Sequence, residues 1–305
     1  MTLEIILALL ASFLWAVTNH IDKYLLCSTE NSTSNIKSLL IFSSLIAGLV
    51  LSPLWLVFNS FQVSITTISL IFVFVSAIIY LLATYFYFKA LEKNDASIVV
   101  VMFQLIPVFS YVFSWLLFKE TLTTNQMIGA LIIISSAVII SLDFENKSNK
   151  NKLTALILMI ISSLMYALYF ILFDIAIRNS EYNAVAFWYQ MSFLLIGIIL
   201  LCIKSFRNPF IALLKSNGKK IMSLNITNEV LNLIANLMVN FANLTIPLAL
   251  ANTLNGFQGA FVFIIGAIGV LIFPKIFRED LSKKVVIQKI FSIIIGIIGL
   301  IIMVK

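Results

Sequence analysis

Charge is scarce in this chain. Of its 305 residues only 11% are Asp, Glu, Lys or Arg, against 61% hydrophobic, and the mean hydropathy is +1.08. That balance excludes a soluble two-domain protein, which the length alone would suggest. Two cysteines, Cys27 and Cys202, cannot build a disulfide framework, and a single histidine, His20, cannot build a histidine-rich metal site. Neither a phosphate-cradling G-x-x-x-x-G-K loop, nor H-E-x-x-H, nor the G-x-S-x-G elbow occurs. P-loop nucleotide chemistry, zinc peptidase chemistry and elbow-type hydrolysis are therefore excluded, and no cofactor is expected. Any work this chain does at a membrane must draw on an ion gradient, an exchange, or the gradient of the solute itself.

What is present is a succession of apolar stretches: 3–26, 36–58, 65–89, 96–118, 124–142, 153–178, 183–203, 221–246, 249–273 and 285–304. An apolar helix needs roughly 20 residues to cross a bilayer, so the expectation is an all-α integral membrane protein with ten transmembrane helices. The first stretch carries Glu4 with no basic residue ahead of it and no small-residue cleavage site after it, so it reads as a retained helix and not a signal peptide. The segment KSFRNPFIALLKSNGKK before the eighth stretch interleaves Phe206, Phe210, Leu213 and Leu214 with basic residues, and reads as an amphipathic segment lying on the membrane. Seventeen of the twenty Lys and Arg fall on the side of loops 1, 3, 5, 7 and 9, Lys289 included. The positive-inside rule then places those loops in the cytoplasm and both termini outside. The net charge of +7 needs only anionic headgroups as its partner, not nucleic acid.

A weak internal repeat divides the chain. Trp15-Ala16 aligns with Tyr166-Ala167, and Phe88 and Leu91 align with Phe241 and Leu244, at nearly constant offset. Five spans are an odd number, so two such halves, 1–142 and 153–305 joined by a linker at 143–152, would enter the membrane from opposite faces. Inverted repeats of this kind are the architecture of secondary transporters, with the binding site near the midplane.

Polar residues inside the spans are the candidates for function. In the eighth span asparagines stand at 225, 228, 232, 236, 240 and 243, all on one helical face, over about 27 Å of helix length. Glu229 lies beside them, where an acid facing lipid would cost about 2.5–3.5 kcal/mol, so the stripe is expected to face protein or water. Interhelical hydrogen bonding is the other reading for any one asparagine. Asn252, Asn255 and Gln258 repeat the spacing in the ninth span. Trp15, Asn19 and Asp22 share a face of the first span beside His20 and Lys23, where Asp22 and Lys23 could simply pair. Tyr80, Thr84 and Tyr87 recur in the third span, and Tyr166, Phe170 and Asp174 in the sixth. Trp188-Tyr189-Gln190 reads as an interfacial aromatic belt or as a cavity rim. Gln104 and Pro107 share the fourth span, where proline should kink the helix and could serve as a gate. The glycine pairs Gly256/Gly259, Gly266/Gly269 and Gly296/Gly299 read as close-packing devices. The expected solute-contacting set is Trp15, Asn19, Tyr80, Gln104, Tyr166, Asn232, Asn236, Asn240, Asn255 and Gln258, with Glu229 as the coupling acid.

The segment 85–142 resembles the signature of the EamA-like family in the drug/metabolite transporter superfamily. The resemblance runs through Ala90-Leu91, Ser97, Pro107, Glu120 with Thr121-Leu122, Gln126 and Gly129, and the first span adds Trp15 and Lys23. The second half departs from it: the position of Pro107 falls near Ala260, and the acid after the ninth span, Glu279, follows an inserted PKIFR. Glu120 is expected to cap the fifth span. The resemblance implies a transporter, most naturally an exporter of a small polar metabolite such as an amino acid, working by alternating access in a bacterial cytoplasmic membrane as monomer or homodimer. It also implies cytoplasmic termini, opposite to the charge count. A non-transporting scaffold or an intramembrane enzyme acting on a lipid-borne substrate is the alternative, with His20 and Asp22 as its only convergent groups.

Overall fold

The computed structural model describes residues 2–27, 32–58, 63–118, 123–141, 149–243, 254, 256–273, 277 and 279–304. Every regular element among them is helical: α1 (Thr2–Leu26), α2 (Ser32–Ile46), α3 (Ser52–Phe58), α4 (Thr67–Lys93), α5 (Ala96–Val101), α6 (Leu105–Phe118), α7 (Thr124–Ser141), α8 (Asn149–Arg178), α9 (Tyr182–Cys202), α10 (Lys204–Asn243), α11 (Gln258–Ile272) and α12 (Lys283–Val304). Their ends follow local chemistry. Asp95 and Glu181 are extended at ψ near 140° and open α5 and α9. At α7 the backbone N–H of Thr123 donates to the Gln126 side chain at 2.8 Å, while that of Gln126 donates to the Thr123 hydroxyl at 3.2 Å. This reciprocal capping box supplies the cap expected from Glu120, which lies outside the described residues.

Seven helices among the described residues are long and apolar enough to cross a membrane; 124–140 and 258–272 are apolar but shorter. Residues 221–243 of the eighth expected span lie in α10, where the asparagines and Glu229 dilute the hydropathy. Nor is the basic segment 204–220 a separate surface helix. It runs without interruption into 221–243, with Pro209 inside α10, where its missing N–H removes one hydrogen bond from the helix. Two spans are helices with local faults. The second passes through a π-helical turn at 47–51, and the fourth through a 3₁₀ turn at 102–104, between α5 and α6.

The chain forms two compact units, each drawing on both halves of the sequence: one comprises residues 1–24, 86–163 and 230–305, the other 25–85 and 164–229. In the first, α7 packs along α12 and α11 against α5, around Leu105, Val108, Ile133, Ala137 and Leu300. In the second, α9 packs against α2, α3 and the π turn. Large apolar side chains such as Leu131, Val57 and Leu271 point outward, an arrangement that suits lipid and not water. Most of the glycines expected at close approaches are there: Gly259 meets Val101, Gly266 meets Glu279 and His20, Gly269 meets the Phe277 ring, Gly296 meets Gln104, and Gly299 meets Ile133.

Candidate functional site

Tyrosines dominate the polar chemistry of the second unit. One turn apart on α4, Tyr80 and Thr84 face α8, where the Thr84 and Tyr166 hydroxyls hydrogen-bond at 2.9 Å. The Tyr80 ring stands edge-on to Tyr166 and Tyr169 at 5.3 Å and to Phe193 at 5.5 Å. Tyr169 stacks on Tyr189 at 5.6 Å. Tyr80 and Tyr166, expected on two separate stripes, are thus brought together, and Tyr189 joins them from α9. Tyr189 is buried in this ring cluster and not in an interfacial belt; its neighbour Trp188 donates its indole N–H to the carbonyl of Val63 at 2.8 Å. The rest of the expected α8 stripe points elsewhere. Phe170 is half exposed, and Asp174 pairs with Arg178 on the surface at 2.8 Å. Glu229, also in this unit, takes a hydrogen bond from Ser43.

In the first unit Asn19 is buried. Its amide N–H donates to the carbonyl of Trp15 at 2.7 Å, and its oxygen accepts from Tyr87 at 2.7 Å. The Tyr87 hydroxyl also lies 3.3 Å from Asp22. Lys23 reaches instead to the end of α4, donating to the carbonyls of Leu91, Glu92 and Asn94 at 2.6, 3.0 and 2.9 Å. An ammonium on the last carbonyls of a helix is the favourable end of its dipole.

The asparagine stripe changes character along α10. Asn225 and Asn228 are buried, Asn232 is half-buried, and Asn236 is exposed, with its amide bonded to the carbonyl of Asn232 at 2.8 Å. The side chain of Asn240, and Asn255 altogether, lie outside the described residues; Gln258 is half-buried at the start of α11.

The fourth span holds the least satisfied polar group. Gln104 ends the 3₁₀ turn, three residues before Pro107, and is only 6% exposed. Among the described residues neither its amide oxygen nor its amide nitrogen has a hydrogen-bond partner. Its amide lies against Gly296, so close that a Cβ there would sit 1.7 Å from the amide oxygen. A buried amide left unpaired costs about 1–3 kcal/mol, and such a group in a native structure calls for an explanation.

One group was not anticipated as a site. Lys289, expected to lie with the loop charges, is 1% exposed inside α12. It bridges Asp95 at 2.6 Å and Glu279 at 2.8 Å. The only signals in the sequence were an isolated Lys in an apolar stretch and an acid after an insertion, and neither identifies a partner. Among the described residues no group of three His, Cys, Asp or Glu could hold a metal.

Comparison with known proteins gives three results. The EamA-like transporter family matches residues 2–142. An uncharacterized protein of Methanocaldococcus jannaschii is 36% identical over 73 residues, 24% of this chain and 53% of that protein; this chain thus spans about half the length of the curated relative it matches. A crystal structure of a protein aligns over 96% of this chain and 94% of its own, with a TM-score of 0.49 at 12% identity, a likeness too loose to carry an argument.

Proposed function

We propose that this integral membrane protein, whose residues 2–142 match the EamA-like transporter family of the drug/metabolite transporter superfamily, is a secondary transporter that exports a small polar metabolite such as an amino acid. The observation that carries the proposal is Gln104, a buried amide with both ends unpaired among the described residues, at a break in an apolar helix. Broken helices at membrane depth are where transporters expose hydrogen-bonding groups to a solute, and an amide offers both a donor and an acceptor to a zwitterion. Pro107 supports the same reading, since its missing N–H keeps the helix from closing over the break. The Thr84–Tyr166 hydroxyl pair and Tyr80 supply a second set of polar groups against aromatic walls. Glu229 is the proposed coupling acid, and ten spans in two inverted halves the proposed architecture, working by alternating access.

The test is efflux. Proteoliposomes loaded with a mixture of the common amino acids should release at least one of them faster than protein-free liposomes, by mass spectrometry of the external medium. Gln104→Ala and Tyr166→Phe should each slow that release, on the order of tenfold for a lost hydrogen bond to a charged solute group. Release no faster than from empty liposomes for every member of the mixture would overturn the amino-acid reading.

A further inference from the structure

At the end of the first unit where α4, α5 and α12 meet, two carboxylates share one ammonium. The Lys289 Nζ donates to Asp95 Oδ2 at 2.6 Å, to Glu279 Oε2 at 2.8 Å and to the carbonyl of Asp280 at 3.2 Å. Glu279 also accepts from the N-terminal turn of α5: the Ser97 hydroxyl donates to Oε2 at 2.7 Å, and the Ser97 backbone N–H to Oε1 at 3.2 Å. Asp95 Oδ2 accepts the backbone N–H of Asp280 at 3.0 Å. The Glu279 side chain is 2% exposed and that of Asp95 22%. Among the described residues these two acids and one base carry one negative charge in excess.

Among the described residues the surroundings of Glu279 are these. On the α11 side the neighbour of Glu279 is Gly266, with the His20 ring of α1 next to it; the His20 Nε2 faces the carbonyl of Val262 at 2.8 Å. The ammonium of Lys23 is directed at the carbonyls of the 91–94 turn. From α11, Phe263 presents its ring to Lys289 at 6.0 Å. Burial raises Glu279 above the ordinary carboxyl range, the neighbouring Asp95 charge adds to the rise, and Lys289 and Ser97 oppose it.

We propose that Glu279 is a proton-binding site whose protonation loosens the tie between the start of α5 and α12. The step moves one proton. A proton from water adds to Glu279 Oε2, the carboxylate becomes a neutral acid, and the cluster changes from one negative charge to none. A neutral acid is a poorer acceptor for Lys289 and for the α5 N-terminus than a carboxylate is, so Lys289 stays on Asp95 and α5 loses its charged anchor. Since α5 leads directly into the break at Gln104, the proton state of Glu279 bears on the position of the proposed solute-contacting amide. That consequence rests on the transport reading; the proton site itself does not. Glu229 belongs to the other compact unit and is a separate group.

The experiment is an infrared pH titration of the intact protein in lipid nanodiscs, following the carbonyl band of a protonated carboxylic acid. Wild type should show a component of that band with its midpoint above the ordinary carboxyl range, and Glu279→Gln should remove that component while leaving those of the other acids. Asp95→Asn, which removes the like charge, should lower the midpoint by about one pH unit or more, and Lys289→Met, which removes the ammonium, should raise it by a similar amount. Should Glu279→Gln not fold, those two opposite shifts still decide. A band unchanged in Glu279→Gln, or a midpoint indifferent to both other variants, would overturn the proposal. Because the titration needs no solute, a protein that moves no amino acid yet titrates as described would sink the transport reading alone.

Discussion

Gln104 is the residue where stability and the proposed function make opposite demands. Its amide is buried, pressed on Gly296 and, among the described residues, unpaired at both ends. A side chain retained only for packing would be better apolar, since an unpaired buried amide costs about 1–3 kcal/mol. Gln104→Met keeps the length and removes the polar atoms. It should therefore raise the apparent melting temperature of the detergent-solubilised protein while abolishing release of the transported amino acid, the trade expected of a strained functional group. A variant that melts lower than wild type and transports normally would show the amide to be structural. At this scale the sequence was partly legible. Gln104 and Pro107 stand out because polar and helix-breaking residues in an apolar run need a reason. Lys289 did not stand out, because its partners Asp95 and Glu279 lie 194 and 10 residues away and no local pattern joins them.

Helices were legible as elements because apolar runs of spanning length have few alternatives in lipid, where every backbone group must be satisfied internally. Their irregularities were less so. Pro107 signalled a fault in the fourth span, but the 3₁₀ turn lies just ahead of it, at 102–104. Nothing in Ala47-Gly48-Leu49-Val50-Leu51 signals a π turn. Gly48, within that turn, meets a close neighbour: a Cβ on it would fall 2.2 Å from the Leu194 Cβ, 2.8 Å from its Cα and 3.0 Å from its backbone N. The wall that Gly48 meets is thus the backbone of α9, which cannot rotate away. Gly197 on α9 is also close-packed, but the atoms it meets, in Leu45 and Ser44 at 3.1 Å, belong to side chains. Gly48→Ala should therefore destabilise by about 1–3 kcal/mol and lower the melting temperature clearly more than Gly197→Ala does. Equal effects of the two would mean that α9 yields as easily as a side chain.

At the scale of the whole molecule the two compact units cut across the two sequence halves. Each unit takes segments from both, so the halves 1–142 and 153–305 are units of descent in the proposed reading and not units of packing. An alignment offset could suggest the halves; it could not show which segments cluster, because clustering depends on contacts between helices far apart in sequence. Orientation is a further property of the whole chain, and here lysine distribution and family resemblance point in opposite directions. Burial of Lys289 and the use of Lys23 to hold the 91–94 carbonyls remove two of the seventeen charges from the exposed count, yet fifteen against three is still a strong bias. The chain carries its own reporters. In the proposed ten-span reading Cys27 follows the first span and Cys202 ends the seventh, so six crossings lie between them and both belong to the same face; both are exposed. With the odd-numbered loops in the cytoplasm, a membrane-impermeant maleimide should leave both thiols unlabelled in intact cells and label both once the membrane is permeabilised. Labelling of both in intact cells would reverse the orientation, and labelling of one alone would break the count of six crossings between them.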